Sequence, residues 1–227
     1  MRGVWPALMS VTFLLPTHRV YAFERDSVVT PSTRIWITGA SNIRRFTCQA
    51  RRVAGAIDLR ARTARDGTIG GDNLGRSPSL LIAVDDVDCG LGAMNQHLRE
   101  TLAGERFPTI EFRLATYEVD LSARTAIARL TGSTTIHGVT RPVETIARLR
   151  ADSLGEMHLT GTYVVRMSDF GVRPPRRFGG LLRVKDRVTV HFDVTPQRAD
   201  AIDALRCALF TRHPLQLNPG ATYALCL

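Results

Sequence analysis

The chain has 227 residues, of which 44% are hydrophobic and 22% charged, a composition typical of one folded domain with short additions. It excludes an intrinsically disordered chain, which would be poorer in apolar residues and more highly charged. The formal net charge of +9 comes almost entirely from arginines distributed along the whole sequence, with Lys185 as the only lysine. Because phosphate binding needs a concentrated basic face, this spread argues against nucleic-acid binding.

The first 22 residues have the pattern of a secretory signal peptide. Arg2 precedes an apolar run from Val4 to Leu15, and Val20 and Ala22 suit the positions before a cleavage site. The run is shorter than the ~20 residues that span a bilayer, and no later segment predicts an integral membrane span. We therefore predict cleavage near Ala22 and export, with a buried N-terminal helix as the alternative.

Strand patterns dominate the next part of the chain. Ser32–Ile37 combines β-branched and aromatic residues before a turn, and Val53–Leu59 alternates with its apolar residues on one face. Residues 65–78 are rich in Gly, Asp, Asn and Ser, which predicts a loop or hairpin connection. Ser79–Val84 is an apolar run too short for a helix, so we interpret it as a strand.

One helix is predicted, from about Gly92 to Ala103, with Gly104 able to end it. Its apolar residues recur at steps of three and four. After it, Thr109–Leu114 alternates, with Ile110, Phe112 and Leu114 on one face. The same two-residue period recurs in four later segments, namely Ala126–Ile136, Val143–Leu149, Leu159–Val165 and Val188–Val194. About eight strands result, which predicts an all-β sandwich or closed antiparallel barrel.

Two short motifs are interpreted as turns. His137-Gly138 lies between alternating segments, and Gly138 can adopt the positive φ of a tight hairpin, although a contact to a ligand head group is an alternative. Asp169-Phe170-Gly171 matches the metal-binding triplet of protein kinases, but the other kinase motifs are missing. We expect a turn at a strand end, with Phe170 anchored in the core.

Neither a metal site, a cofactor site nor an enzyme active site is predicted. The histidines lack the i, i+4 spacing of a helical zinc pair, the acidic cluster lacks the spacing of a calcium loop, and the serines lack a G-x-S-x-G context. The histidines are His97, His137, His158 and His191, the acidic cluster is Asp85, Asp86 and Asp88, and the serines are Ser133 and Ser168.

The four cysteines form an even set without a C-x-x-C motif, so in an exported protein we expect structural disulfides. Three connectivities are open. The favoured one pairs Cys48 with Cys89 and, with less support, Cys207 with Cys226, because each pair then stays within its own stretch of chain.

Four segments in order resemble the YceI-like family of polyisoprenoid-binding proteins, and the resemblance covers roughly Ser32 to Thr195. The most specific part is the central hairpin, L-T-G-x-x-T-I-H-G-V-T-R-P-V. The segments are Met94–Leu102 with Phe107–Phe112, Leu130–Val143, Met167–Val172, and Leu182–Val190.

The resemblance implies an eight-stranded, antiparallel, lipocalin-like barrel with one short capping helix, an apolar tunnel for an isoprenoid or similar amphiphile, and a periplasmic location. It carries no catalytic residues. This chain departs from the family pattern in its Cys48/Cys89 pair, its basic charge and its C-terminal end. The expected organisation is a signal peptide (1–22), a barrel domain (23–197) and a tail (198–227) that is disulfide-linked or poorly ordered.

A carrier of this kind needs an inward row of apolar side chains. Its ligand would be a polyisoprenoid, an isoprenoid quinone or another lipid-like molecule. The alternative is a stress-protective or interaction barrel whose interior is filled by the same side chains. The oligomeric state is open, with a homodimer as one option. The predicted ligand-lining residues are Ile110, Phe112, Leu114, Tyr163, Val165, Val190 and Phe192.

Overall fold

The computed structural model describes residues 33–57, 63–65, 68–72, 79–120, 126–151 and 156–196. The predicted signal peptide lies outside these residues, as do the predicted tail and its two cysteines, Cys207 and Cys226. Among the described residues, no helix has the length and apolar character needed to cross a bilayer.

The described residues form thirteen antiparallel strand segments and one α-helix. They are β1 (Arg34–Ser41), β2 (Arg45–Ala50), β3 (Ala54–Gly55), β4 (Thr63–Arg65), β5 (Thr68–Asp72), β6 (Leu80–Ala83), β7 (Val87–Asp88), α1 (Gly92–Thr101), β8 (Thr109–Asp120), β9 (Ala126–Ile136), β10 (Val139–Ala151), β11 (Met157–Arg166), β12 (Arg176–Arg177) and β13 (Leu182–Val194).

Hydrogen bonds between neighbouring strands close the sheet into a barrel. The order is β3-β6-β8-β9-β10-β11-β13-β1-β2-β7, and β2 pairs with β7 while β3 pairs with β6. Residues 51–53 join β2 to β3, and a 3₁₀ turn at Val84–Asp86 joins β6 to β7. Segments β2 and β3 therefore form one bent strand, and β6 and β7 form a second. These two bent strands pair with each other, and this pairing closes the barrel.

Segment β4 pairs with β5, and β5 pairs with β8 further along β8 than β6 does. Counted as whole strands, the barrel has eight positions in up-and-down order, with β12 as a short addition to β13. The predicted all-β, lipocalin-like barrel is confirmed, and the sequence-based strand count differs from the thirteen segments because the bent strands are interrupted.

Strand β2 is not predicted from the sequence. Phe46, Cys48 and Ala50 alternate toward the interior, but this run is short and is preceded by two arginines. Of the predicted strand Val53–Leu59, only Ala54–Gly55 pairs in a ladder within the described residues. Gly55 has φ 88°, and a Cβ there would meet the carbonyl oxygen of Ser79, so glycine allows the bend.

The helix and both predicted turns are present. Helix α1 ends at Thr101, before the predicted Ala103, where the backbone turns left-handed at φ 47°. His137 (φ 53°) and Gly138 (φ 73°) form the two-residue turn between β9 and β10, and both have the positive φ of a primed hairpin turn. Phe170 is buried at a 3₁₀ turn, next to Gly171 at φ 71°.

The two ends of the barrel differ in packing. At one end, which we call the far end, large side chains fill the interior near the end of β8 and of β10 and the start of β11, among them Tyr117, Leu149, Met157 and Leu159. At the other end, the helix end, lie α1, the β1–β2 turn and the hairpin at Gly138. The interior is packed at the far end and hollow toward the helix end.

Candidate functional site

An apolar cavity of about 670 Å³ occupies the helix-end half of the barrel. It reaches the surface at this end, because exposed Arg44 and Leu91 are among its lining residues. Most of the wall is aliphatic or aromatic. The polar and charged members of the lining are few, namely Ser41, Arg44, His97, Thr101, Glu111, Thr134, Thr145 and Arg177.

Six of the seven predicted lining residues border this cavity. They are Ile110 and Phe112 of β8, Tyr163 and Val165 of β11, and Val190 and Phe192 of β13. Leu114, which follows in the same inward row of β8, does not border it. Its side chain is 3% exposed and packs in the core.

The sequence interpretation misses the contributions of α1 and of the first two strands. Met94, Leu98 and Leu102 bring the apolar side of the helix region to the cavity, and Ile35, Ile37 and Phe46 line it from β1 and β2. The helical spacing of Met94, Leu98 and Leu102 is a usable signal, because an amphipathic helix over a barrel end must turn its apolar side inward.

Two glycines make room for aromatic rings in the cavity wall. Gly39 of β1 lies opposite Phe46 of β2, and Gly161 of β11 lies opposite Phe192 of β13. In each pair a Cβ on the glycine would clash with the partner ring. Both rings therefore lie over glycines on the inner face of the barrel, and they form part of the cavity lining.

One polar pair lies inside the apolar wall. The hydroxyl oxygens of Thr134 and Tyr163 are 3.4 Å apart. Burial raises the pKa of the Tyr163 phenol, and the hydrogen bond to Thr134 opposes this shift only in part. Tyr163 therefore stays neutral at physiological pH and presents a hydroxyl, but no charge, to whatever fills the cavity.

At the mouth, Arg177 links the β12 segment to the helix. Its Nη2 donates a hydrogen bond of 2.5 Å to Nδ1 of His97 and lies 3.4 Å from Oε2 of Glu100. The same Nδ1 lies 3.4 Å from Oε2 of Glu100, so Arg177, His97 and Glu100 form one polar cluster at the mouth. The mouth thus has a fixed cation beside α1.

A second opening of about 290 Å³ lies in the barrel wall between β10 and β11. These strands pair only between Ala147–Ala151 and Met157–Gly161. Beyond that ladder, Thr145 donates a side-chain hydrogen bond to the carbonyl of Thr162, and Arg141 donates one to the carbonyl of Asp169. Side chains therefore hold β10 to β11 and to the 3₁₀ turn at Met167–Phe170, where the backbone ladder ends.

The predicted disulfide between Cys48 and Cys89 is present and borders the cavity. Cys48 lies in β2, and Cys89 directly follows β7. The backbone N–H of Cys89 also donates to Oδ1 of Asn95 in α1, at 2.7 Å. The disulfide therefore anchors the start of the helical cap to the barrel wall.

Within the described ranges, no group of three or more His, Cys, Asp or Glu residues is placed to hold a metal ion.

Comparison with solved structures finds similar chains at low sequence identity. BcnA of Burkholderia cenocepacia is 14% identical with a TM-score of 0.55, covering 71% of this chain and 94% of that one. A polyisoprenoid binding domain from Saccharophagus degradans, implicated in plant cell wall breakdown, is 13% identical, with a TM-score of 0.48 and coverage of 75% and 97%. The YceI protein of Campylobacter jejuni is 15% identical, with a TM-score of 0.46 and coverage of 85% and 100%.

A search among curated protein sequences finds no match to this chain. The family model described as the YceI-like domain matches residues 32–196, which include the barrel and its helix. The match spans well over half of the 227 residues and agrees with the four segments that carry the resemblance. The chain belongs to the YceI-like family.

Proposed function

We propose that this protein is a periplasmic binding protein that carries a long apolar ligand inside the barrel. The ligand class is a polyisoprenoid, an isoprenoid quinone or another lipid-like amphiphile. The observation that carries this proposal is the cavity of about 670 Å³, which is within the range of small-molecule sites and is walled almost entirely by apolar side chains. Family membership supports it, because the resemblance implied an apolar tunnel in such a barrel.

The driving force would be burial of the apolar surface of the ligand, worth about 25 cal/mol per Å². Thr134 and Tyr163 offer uncharged hydroxyls inside the cavity, and Arg44 and Arg177 offer cations at its mouth. A ligand with a long apolar body and a polar head group at the mouth matches this distribution. A barrel with a filled interior, the alternative, is disfavoured by the hollow helix-end half.

We further propose that the protein binds without catalysing a reaction and that it works in the periplasm. The polar groups that line the cavity are few compared with its apolar wall, which suits retention of a ligand better than bond chemistry. The Cys48–Cys89 disulfide supports an oxidising compartment, because such bonds persist outside the cytoplasm.

The test is to identify the ligand and then to block its space. Native mass spectrometry of gently purified protein should show a co-purifying lipid, and the stripped protein should bind a fluorescent polyprenyl or quinone probe. Val188→Phe places a ring in the cavity, whereas Val164→Phe makes the same change on the outer face of β11, where Val164 is 59% exposed.

We expect Val188→Phe to weaken probe binding at least tenfold and Val164→Phe to leave it unchanged. Thermal unfolding of both variants checks that each remains folded. Failure of the wild-type protein to retain a lipid or to bind either probe would overturn the proposal. Equal binding by the two folded variants would show that the probe sits elsewhere.

A further inference from the structure

Three exposed apolar side chains lie around the mouth of the cavity. Ile43 in the β1–β2 turn is 68% exposed, Leu91 before α1 is 55% exposed, and Leu181 before β13 is 76% exposed. They are three of the five large hydrophobic residues that are at least 55% exposed among the described residues, and they come from three separate parts of the chain. We call them the apolar tips.

Hydrogen bonds fix these three parts of the chain against one another. Asn42 Nδ2 donates to the carbonyl of Leu181 at 2.7 Å, and the backbone N–H of Arg183 donates to Asn42 Oδ1 at 2.8 Å. The β1–β2 turn is thus held against the start of β13. Arg177 in turn contacts His97 of α1. The segments therefore form a continuous rim, which places the apolar tips around one opening.

The rim is strongly basic on the side of the turn and of β13. Residues 41–45 and 176–185 contain six cationic side chains and no carboxylate, although the two segments are far apart in sequence. On the helix side, the carboxylates of Asp88 and Glu100 are engaged by Asn95 and Arg177. The six cations are Arg44, Arg45, Arg176, Arg177, Arg183 and Lys185.

We propose that this rim docks the protein onto the surface of an anionic lipid bilayer, with the cavity mouth facing the membrane. Apolar tips that enter the interfacial region and cations that meet anionic head groups are the two contributions by which peripheral proteins bind such surfaces. Charge complementarity and continuity with the apolar cavity favour a bilayer over a protein partner. The docking surface goes beyond the proposed carrier function and does not depend on the identity of the ligand.

Flotation of the purified protein with vesicles tests the proposal. One vesicle type contains equal parts phosphatidylglycerol and phosphatidylcholine, and the other contains phosphatidylcholine alone. We expect binding to the anionic vesicles that is lost at about 1 M salt, where the Debye length falls to about 3 Å. The double variant Ile43→Ser/Leu181→Ser should lower the partition coefficient at least tenfold, and Arg44→Gln/Arg183→Gln should do the same.

The matched control is Ile146→Ser/Val164→Ser, which removes two side chains that are 57% and 59% exposed on the barrel wall. It should bind vesicles like the wild-type protein. No binding by the wild type, or an equal loss in the wall variant and the tip variant, would overturn the proposal. Binding to DNA or to another polyanion without binding to anionic vesicles would assign the rim to a different partner and would also overturn it.

Binding of a soluble probe inside the cavity is measured separately on the same proteins. The tip variants should retain it, because Ile43 and Leu181 do not line the cavity. Loss of vesicle binding with intact probe binding therefore tests the docking surface alone. Failure of probe binding in the wild type would instead count against the carrier function.

Discussion

Gly161 and Phe192 face each other across β11 and β13, and a Cβ built on Gly161 would lie 2.5 Å from Cζ of the Phe192 ring. The Phe192 ring is 8% exposed and borders the cavity. Gly39 and Phe46 repeat this arrangement on β1 and β2. The shape of the cavity wall thus depends on two positions that have no side chain.

Gly161→Ala should narrow the cavity. The added methyl group forces the Phe192 ring toward the cavity and strains the nearby backbone, since the carbonyl oxygen of Ile146 would also lie 3.0 Å from the new Cβ. We expect a loss of about 1–3 kcal/mol in the free energy of unfolding, as for other overpacked sites, and weaker binding of a polyprenyl or quinone probe. Urea titration and probe fluorescence measure the two effects.

Gly92→Ala is the control for this substitution, because a Cβ at Gly92 in α1 meets nothing within 4 Å. It should leave both stability and probe binding close to the wild-type values. If Gly161→Ala behaved like Gly92→Ala, the ring of Phe192 would have free space to yield, and the proposed control of cavity size by glycine would be wrong.

Loss of the Cys48–Cys89 disulfide should destabilise the barrel and loosen its helical cap. The bond spans a sequence separation of 41 residues, and closing a loop of this length in the unfolded chain corresponds to about 2–4 kcal/mol. The double variant Cys48→Ala/Cys89→Ala should lower the unfolding free energy by this amount. Hydrogen exchange should become faster in α1, which Asn95 connects to the backbone of Cys89.

Treatment of the wild-type protein with a reductant should reproduce the faster exchange in α1, and the same reductant should leave α1 exchange in the double variant unchanged. Faster exchange spread evenly over the barrel, without a larger effect in α1, would contradict the specific anchoring of the cap. The wild-type and variant proteins should keep the same strand content by circular dichroism in the absence of denaturant.

Asp193 should make stability depend on acid pH. It is bonded to Arg34 at 2.7 Å and to His158 at 3.0 Å, which links β1, β13 and β11. Burial by itself would raise the pKa of Asp193. The hydrogen bonds from Arg34 and His158 have the larger combined effect, so the pKa of Asp193 lies below its usual value. A lowered pKa stabilises the fold above the ordinary pKa of an aspartate, and this contribution is lost as the pH falls through the folded-state pKa.

Asp193→Asn should therefore destabilise the protein near neutral pH by about 1–3 kcal/mol and flatten the loss of stability on acidification. Unfolding free energies measured from neutral pH down to about pH 3 would show this. Glu144→Gln is the control, because Glu144 pairs with Arg129 on the exposed surface and such pairs contribute little. If the unfolding free energy of Asp193→Asn fell with acidification as in the wild type, Asp193 would not be the cause of the acid dependence.

Periodicity in the sequence is sufficient to predict most strands of the barrel, because each strand has one face toward the apolar interior and one toward solvent. The predicted row Ile110, Phe112 and Leu114 shares one face of β8, where Ile110 and Phe112 border the cavity and Leu114 is buried. The hairpin at His137-Gly138 follows from the positive φ that such turns require. Strand β2 escapes prediction because its apolar alternation is short and the residues before it are basic.

Alternation records which way a side chain points, but not what it meets there. Phe112 borders the cavity and Leu114 is packed in the core, a difference set by side chains that other strands bring to each level of the barrel. The basic rim is a similar case. Arg44 and Arg183 are far apart in the chain, so their cluster exists only once Asn42 holds the β1–β2 turn against β13.

The all-β class, the hairpin and helix positions and the even cysteine set can all be read from the amino-acid sequence, because these depend on local backbone preference and on short spacing. The folded chain was needed to show which half of the barrel is hollow, how two strands bend to close it, and where charge and apolar tips meet at its mouth. Those features depend on contacts between segments that are distant in the sequence, and such contacts contribute free energy only in the folded chain.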